Sequence, residues 1–191
     1  MGVEGPEFGT DTFSDAEVCS AVQCIRQRSE FFDGILEPIV ACPDVGEPCP
    51  NTAALETCAT EIRALLTEAG AAAALAVTCP GAPQNILGNL NAILRQYLAN
   101  LLNTCISTNT EFGCVGGVLL SYVVDLTSAQ AVALGFDADD CVTVGEILAL
   151  AEEVLAACGQ GFSETFRETL ALVLDRMAQP AGATIIEPVF C

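Results

Sequence analysis

The sequence predicts an all-α fold, a single disulfide-reinforced bundle of about five to seven helices, on three observations. Apolar residues recur at three- and four-residue intervals over most of the chain, the repeat of an amphipathic helix. The 191 residues are 52% hydrophobic and only 16% charged, enough apolar material for one sizeable core. Eleven cysteines, at 19, 24, 42, 49, 58, 79, 105, 114, 141, 158 and 191, lack the Cys-x-x-Cys pairs of a zinc or thioredoxin-like centre. Their expected state is a set of structural bridges made in an oxidising compartment, which predicts a secreted, extracellular protein.

The elements follow in chain order. Residues 1–10 (MGVEGPEFGT) have no basic start and no apolar run, so they do not read as a native leader. Glu7-Phe8-Gly9-Thr10 has the form of two adjacent cloning sites, and the decapeptide is expected to be a cloning scar in place of a removed signal peptide. Residues 11–191 then form one helical domain with a C-terminal tail at 181–191. Ser14-Asp15-Ala16-Glu17 is a capping box, opening a first helix over about 15–32 whose inner stripe is Val18, Val22, Ile25 and Phe32. Asp33-Gly34 is expected to end it. A proline-rich loop at 43–50 precedes a second helix capped by Asn51 or Thr52, with Leu55, Ala59, Ile62 and Leu66 inside. Gly70 either ends that helix or the alanine run carries it to Thr78.

After the break at Cys79-Pro80-Gly81-Ala82-Pro83, apolar residues from Ile86 to Cys105 keep helical spacing, predicting a long third helix over about 85–106. The segment 114–126 reads as a buried strand or a helix, and its helical neighbours favour helix. Thr127-Ser128-Ala129-Gln130 and Thr143-Val144-Gly145-Glu146 are two further capping boxes, the first opening a short helix stopped by Gly135. The second opens a helix closed by Gly159 and Gly161. Ser163 caps the last helix, which runs toward Pro180.

Composition excludes several functions. The chain carries 25 acidic and six basic residues, a formal charge of −19, and all six basic residues are arginines. Such a chain has no patch to neutralise phosphates, so no nucleic-acid partner is expected and an anionic membrane surface is a poor one. The absence of histidine removes the usual general base and the Ser-His and Cys-His nucleophile pairs, which argues against an enzyme. Pro80, Gly81 and Pro83 interrupt the uncharged stretch 69–94 well short of a membrane span.

Candidate binding residues are few. Asp137, Asp139 and Asp140 form the densest acidic cluster, but Val142 and Leu148 stand where a calcium loop needs glycine and glutamate, so a solvated loop is the better reading. Glu152, Glu153, Glu164 and Glu168 read as exposed helix faces. No cofactor or metal is implied. Ten cysteines, Cys19, Cys24, Cys42, Cys49, Cys58, Cys79, Cys105, Cys114, Cys141 and Cys158, are the disulfide candidates. Cys191 is the candidate for the odd thiol, unpaired or bonded to another molecule. Its tail either reaches another subunit or is stapled to its own domain.

The charge is unevenly placed: residues 1–68 hold −10, residues 69–136 hold −1 and residues 137–191 hold −8. Within the neutral middle, Asn89, Gln96 and Asn103 recur every seven residues, an uncharged polar face expected to be either buried centrally or a contact face. The expected function is a non-enzymatic structural or assembly protein of an extracellular material (fibre, glue, coat or matrix), partnered by itself as a homo-oligomer or by another extracellular protein. The alternative is a secreted carrier binding a lipid or other apolar ligand between helices. Without histidine, acid-triggered assembly would have to come from carboxylates, beginning nearer pH 5 than 6.5.

Overall fold

A computed structural model describes residues 14–108, 120–179 and 185–186, and it has eight helices among them. These are α1 (Asp15–Arg28), α2 (Glu30–Leu36), α3 (Thr52–Leu65), α4 (Glu68–Thr78), α5 (Gln84–Thr108), α6 (Ser128–Ala133), α7 (Val144–Ala156) and α8 (Glu164–Ala178). The chain is an all-α, disulfide-reinforced bundle. Helix α5 is its axis: α1, α3, α4, α7 and α8 all pack on it, and Leu90, Ile93, Leu94 and Leu98 are fully buried.

The three capping boxes form as their sequences dictate. Ser14, Thr127 and Thr143 each accept from the third helical amide, and Glu17, Gln130 and Glu146 reach back to the cap's own N–H. Gly135, at φ +86°, stops the turn that follows α6.

Two of the expected helices are divided, which raises the number to eight. Ser29 leaves helical geometry at φ −138°, ψ 111° and accepts from the Phe32 amide, so one helix over 15–32 becomes α1 and α2. Nor does Asp33-Gly34 end the second piece, which runs to Leu36. Thr67 divides the next helix in the same way, accepting from the Gly70 amide and starting α4 on the alanine run. Gly70 is needed there, since a Cβ on it would lie 2.0 Å from the Ala64 carbonyl oxygen. The stripe of α3 is also rotated from the expected one, with Leu55, Cys58, Ile62 and Leu65 inside while Ala59 and Leu66 are half-buried.

The helix favoured for 114–126 is absent from the described part, residues 120–126. Val123–Val124 is a short strand, β1, antiparallel to β2 (Ile185–Ile186), with Val123 opposite Ile186 and Val124 opposite Ile185. On its other side the Val124 amide donates to the Val142 carbonyl and the Val144 amide to the Tyr122 carbonyl, both at 2.8 Å. Residues 185–186 of the tail therefore lie against their own domain.

Disulfides tie the wrapping elements together. Cys24–Cys105 joins α1 to α5, Cys19–Cys49 joins α1 to the proline-rich loop, Cys42–Cys58 joins the segment after α2 to α3, and Cys79–Cys158 joins the ends of α4 and α7. Cys141 is disulfide-bonded as well. Cys114, Cys191 and residues 1–10 lie outside the described residues. Buried Arg26 adds a polar clamp, its guanidinium 2.6 Å from both Asp33 and Asp44 and donating to the Pro43 carbonyl. No described helix is long and apolar enough to cross a membrane.

Candidate functional site

The acidic residues singled out in the sequence do not converge. The Asp137 amide donates to the Asp140 carboxylate at 2.8 Å, a local loop contact, and no group of three or more metal-ligating side chains occurs among the described residues. Glu153, Glu164 and Glu168 are exposed, as expected of solvated faces.

Glu152 departs from that expectation. It sits on the inner side of α7, where its Oε1 accepts from the Phe31 amide at 2.7 Å. Its Oε2 accepts from the Ser29 hydroxyl and the Tyr97 phenol, each at 2.6 Å. One carboxylate thus joins the α1–α2 break, the central helix and α7. Burial, reinforced by the hydrogen bond to Glu152, holds the Tyr97 phenol well above its ordinary pKa, so it stays a donor. Phe32, stacked on Tyr97 at 5.5 Å between ring centroids, packs the apolar side of the cluster.

A pocket of about 300 Å³ opens beside this cluster. Among the described residues, one wall is α5, through Tyr97 and Leu101, the other is α7, through Gly145, Leu148, Ala149 and Glu152, and Arg28 and Leu120 also line it. Gly145 is small because its amide must reach the Leu120 carbonyl at 2.9 Å, where a Cβ would sit 3.2 Å from that oxygen. Burial lowers the Arg28 pKa below its ordinary value. The site is an apolar trough with one cation and one hydrogen-bonded carboxylate in its walls. Its polar groups among the described residues are Arg28, Tyr97 and Glu152.

No family model matches the chain, and neither the curated proteins nor the solved structures contain a significant match. The reading of function therefore rests on the chain's own residues.

The uncharged face of α5 is used largely inside the molecule. Asn89, Gln96 and Asn103 are all half-buried, and Gln96 donates to Asp175 on α8 at 2.8 Å. Next to them Asn100 is buried, donating to the Gln96 and Leu174 carbonyls, and Asn91 donates to the Glu68 carbonyl at the start of α4. The neutral character reaches solvent instead on α4. Only Ala71 and Leu75 of that helix are buried, while Ala69, Ala72, Ala73, Ala76 and Val77 are exposed, Val77 to 80%. These five recur at three- and four-residue steps, an apolar stripe on the solvent side.

Proposed function

We propose that this chain is a non-enzymatic structural domain of an extracellular material, secreted and cross-linked by its own disulfides, which associates with further copies of itself. The observation that carries this reading is the α4 stripe on a chain of charge −19. Two such polyanions repel one another wherever their charged surfaces meet. A face without charge, running from residue 69 to residue 94 in sequence and apolar where α4 meets solvent, is where their approach is least opposed. The bridges support the extracellular setting, because disulfides persist in oxidising compartments and are rare in reducing ones.

The carrier alternative has less support. A lipid-sized ligand needs a central cavity, and α5 fills the centre with fully buried leucine and isoleucine.

Sedimentation velocity against protein concentration tests the proposal, with the salt raised to screen the net charge and the pH taken from 7 to 4. Association should strengthen with salt and on acidification below about pH 5, and Val77→Glu with Ala73→Glu should abolish it. A monomer under all these conditions, or association unchanged by the two glutamates, would refute the reading. Thiol counting on the same samples tests covalent linkage. With eight cysteines in four bridges and Cys141 in a fifth, one of the eleven is left over. Denatured but unreduced protein should show one reactive thiol as a monomer and none as a disulfide-linked dimer.

A further inference from the structure

We propose that two copies of this chain meet in a twofold contact in which Glu68 of each copy pairs with Arg95 of the other. This pairing rests on the self-association proposed for the chain and fixes its geometry.

The uncharged stretch 69–94 is bounded by one acid and one base, Glu68 and Arg95, and no other charged residue occurs in α4, in α5 or between them. The α4–α5 hairpin brings those two ends together. Asn91, about one turn before Arg95, donates to the carbonyl of Glu68, the first residue of α4, at 2.8 Å. Even so, the two charges do not pair with each other. Among the described residues the Nε of Arg95 is buried without a hydrogen-bond partner, and neither Arg95 nor the exposed Glu68 takes part in an ion pair.

Arg95 is alone in this among the arginines. Arg26 holds Asp33 and Asp44, Arg167 donates to the Gly159 and Phe162 carbonyls, Arg176 reaches Gln130, and Arg28 and Arg63 have partners as well. In a chain of 25 acidic residues, a half-buried guanidinium left without a carboxylate is a cation available to an anion from outside. Asn91 Oδ1 is also buried and unpartnered, but a bond from Arg95 to it would leave the charge uncompensated, because the amide is neutral.

Symmetry then selects the anion. In a twofold contact the same patch serves both copies, so a residue that meets a second is met by it in return. Glu68 is the one carboxylate on the uncharged hairpin, at the same end as Arg95. A twofold axis along the hairpin sets α4 of one copy on α5 of the other and closes both pairs at once. The alanine and valine stripe of α4 then meets small residues of α5, exposed Gly88 and half-buried Ala92.

Sedimentation velocity of charge variants of the intact disulfide-bonded protein tests this at pH 7, at a salt concentration where the wild-type chain associates. Arg95→Glu and Glu68→Arg should each weaken association at least about tenfold, because like charges then face each other across the axis. An equimolar mixture of the two should recover association to within about threefold of wild type, since unlike chains restore both pairs. Net charge alone gives the opposite result for Glu68→Arg, which makes the chain less negative and would strengthen association. Should Arg95→Glu fail to fold by circular dichroism, Glu68→Gln and Arg95→Gln decide: each should weaken association about fivefold, and the double variant no further. A glutamate variant that associates as tightly as wild type or tighter, a mixture no tighter than its components, or a double variant equal to the sum of its singles would overturn the pairing. If Val77→Glu with Ala73→Glu still abolishes association, the apolar contact survives that result, whereas a wild-type chain that stays monomeric overturns both.

Discussion

Replacing Glu152 by alanine should be among the most damaging single changes to this chain outside its apolar core. Three donors converge on that carboxylate from two other parts of the fold, and two of them belong to residues only 1% exposed, Ser29 and Tyr97. A hydrogen bond to a charged acceptor contributes about 1.5–3 kcal/mol, and a buried donor left without a partner costs about 1–3 kcal/mol. The full sum is not expected, because the adjoining pocket can admit water to some of the stranded donors. Glu152→Ala should therefore cost about 3 kcal/mol. Tyr97→Phe removes one donor, leaves the carboxylate two others, and should cost about 2 kcal/mol. Glu152→Gln should cost only about 1 kcal/mol: its oxygen can face the Phe31 amide, and its amino group can donate to the hydroxyl oxygens of Ser29 and Tyr97, which both accept.

Guanidinium unfolding followed by circular dichroism, with the disulfides intact, gives the three values. The double variant Tyr97→Phe/Glu152→Ala gives the coupling, expected at about 1.5 kcal/mol since both single changes break the same bond. A coupling indistinguishable from zero, or an alanine variant no less stable than the glutamine one, would refute the assignment of Glu152 as the junction of these elements.

Three other outcomes follow from the geometry. Removing Cys24–Cys105, which spans 81 residues, should cost roughly 4 kcal/mol, and removing Cys42–Cys58, which spans 16, roughly 3 kcal/mol, by paired alanine substitution and guanidinium midpoints. The reverse order would show that folded-state packing at the bridges outweighs loop closure. Gly70→Ala should cost about 2 kcal/mol, because its methyl would meet the Ala64 carbonyl, whereas Gly88→Ala in α5 meets nothing within 4 Å and should stabilise by roughly 0.5–1 kcal/mol in thermal unfolding. Equal effects would sink the close-approach argument. Finally, the Ser14 amide, with its hydroxyl, holds the Glu17 carboxyl below the usual glutamate range. The box's contribution is thus present above the ordinary glutamate pKa and lost as pH falls through the lowered folded value. An NMR titration should show a depressed midpoint that rises in Ser14→Ala, and an unmoved midpoint would contradict the box.

Why some of this architecture was legible and some was not comes down to the range of the interactions. The capping boxes at Ser14, Thr127 and Thr143 are closed within four residues, and all three form. Helix α5 was equally legible, since an apolar stripe sustained from Ile86 to Cys105 has no competing solution, and it extends only slightly beyond the expected 85–106. The two missed breaks carried a local signal that apolar periodicity conceals. Arg26 and Arg28 end α1, Ser29 caps, and Glu30 opens α2; likewise Arg63 ends α3, Thr67 caps, and Glu68 opens α4. Cation, hydroxyl, anion is the order that suits a negative helix end followed by a positive helix start.

The role of Glu152 had no such local signal. Beside Glu153 on a helix with acidic neighbours, its sequence context is that of a solvated face, and its partners are 55, 121 and 123 residues away. Only the break at Ser29 makes the junction possible, because a continuous helix over 15–32 would keep the Phe31 amide for its own i−4 carbonyl and leave no cap hydroxyl to donate. The misread helix and the misread glutamate are therefore a single error. The tyrosine and carboxylate that line the candidate pocket are held there by the same one-residue interruption, Ser29, between α1 and α2.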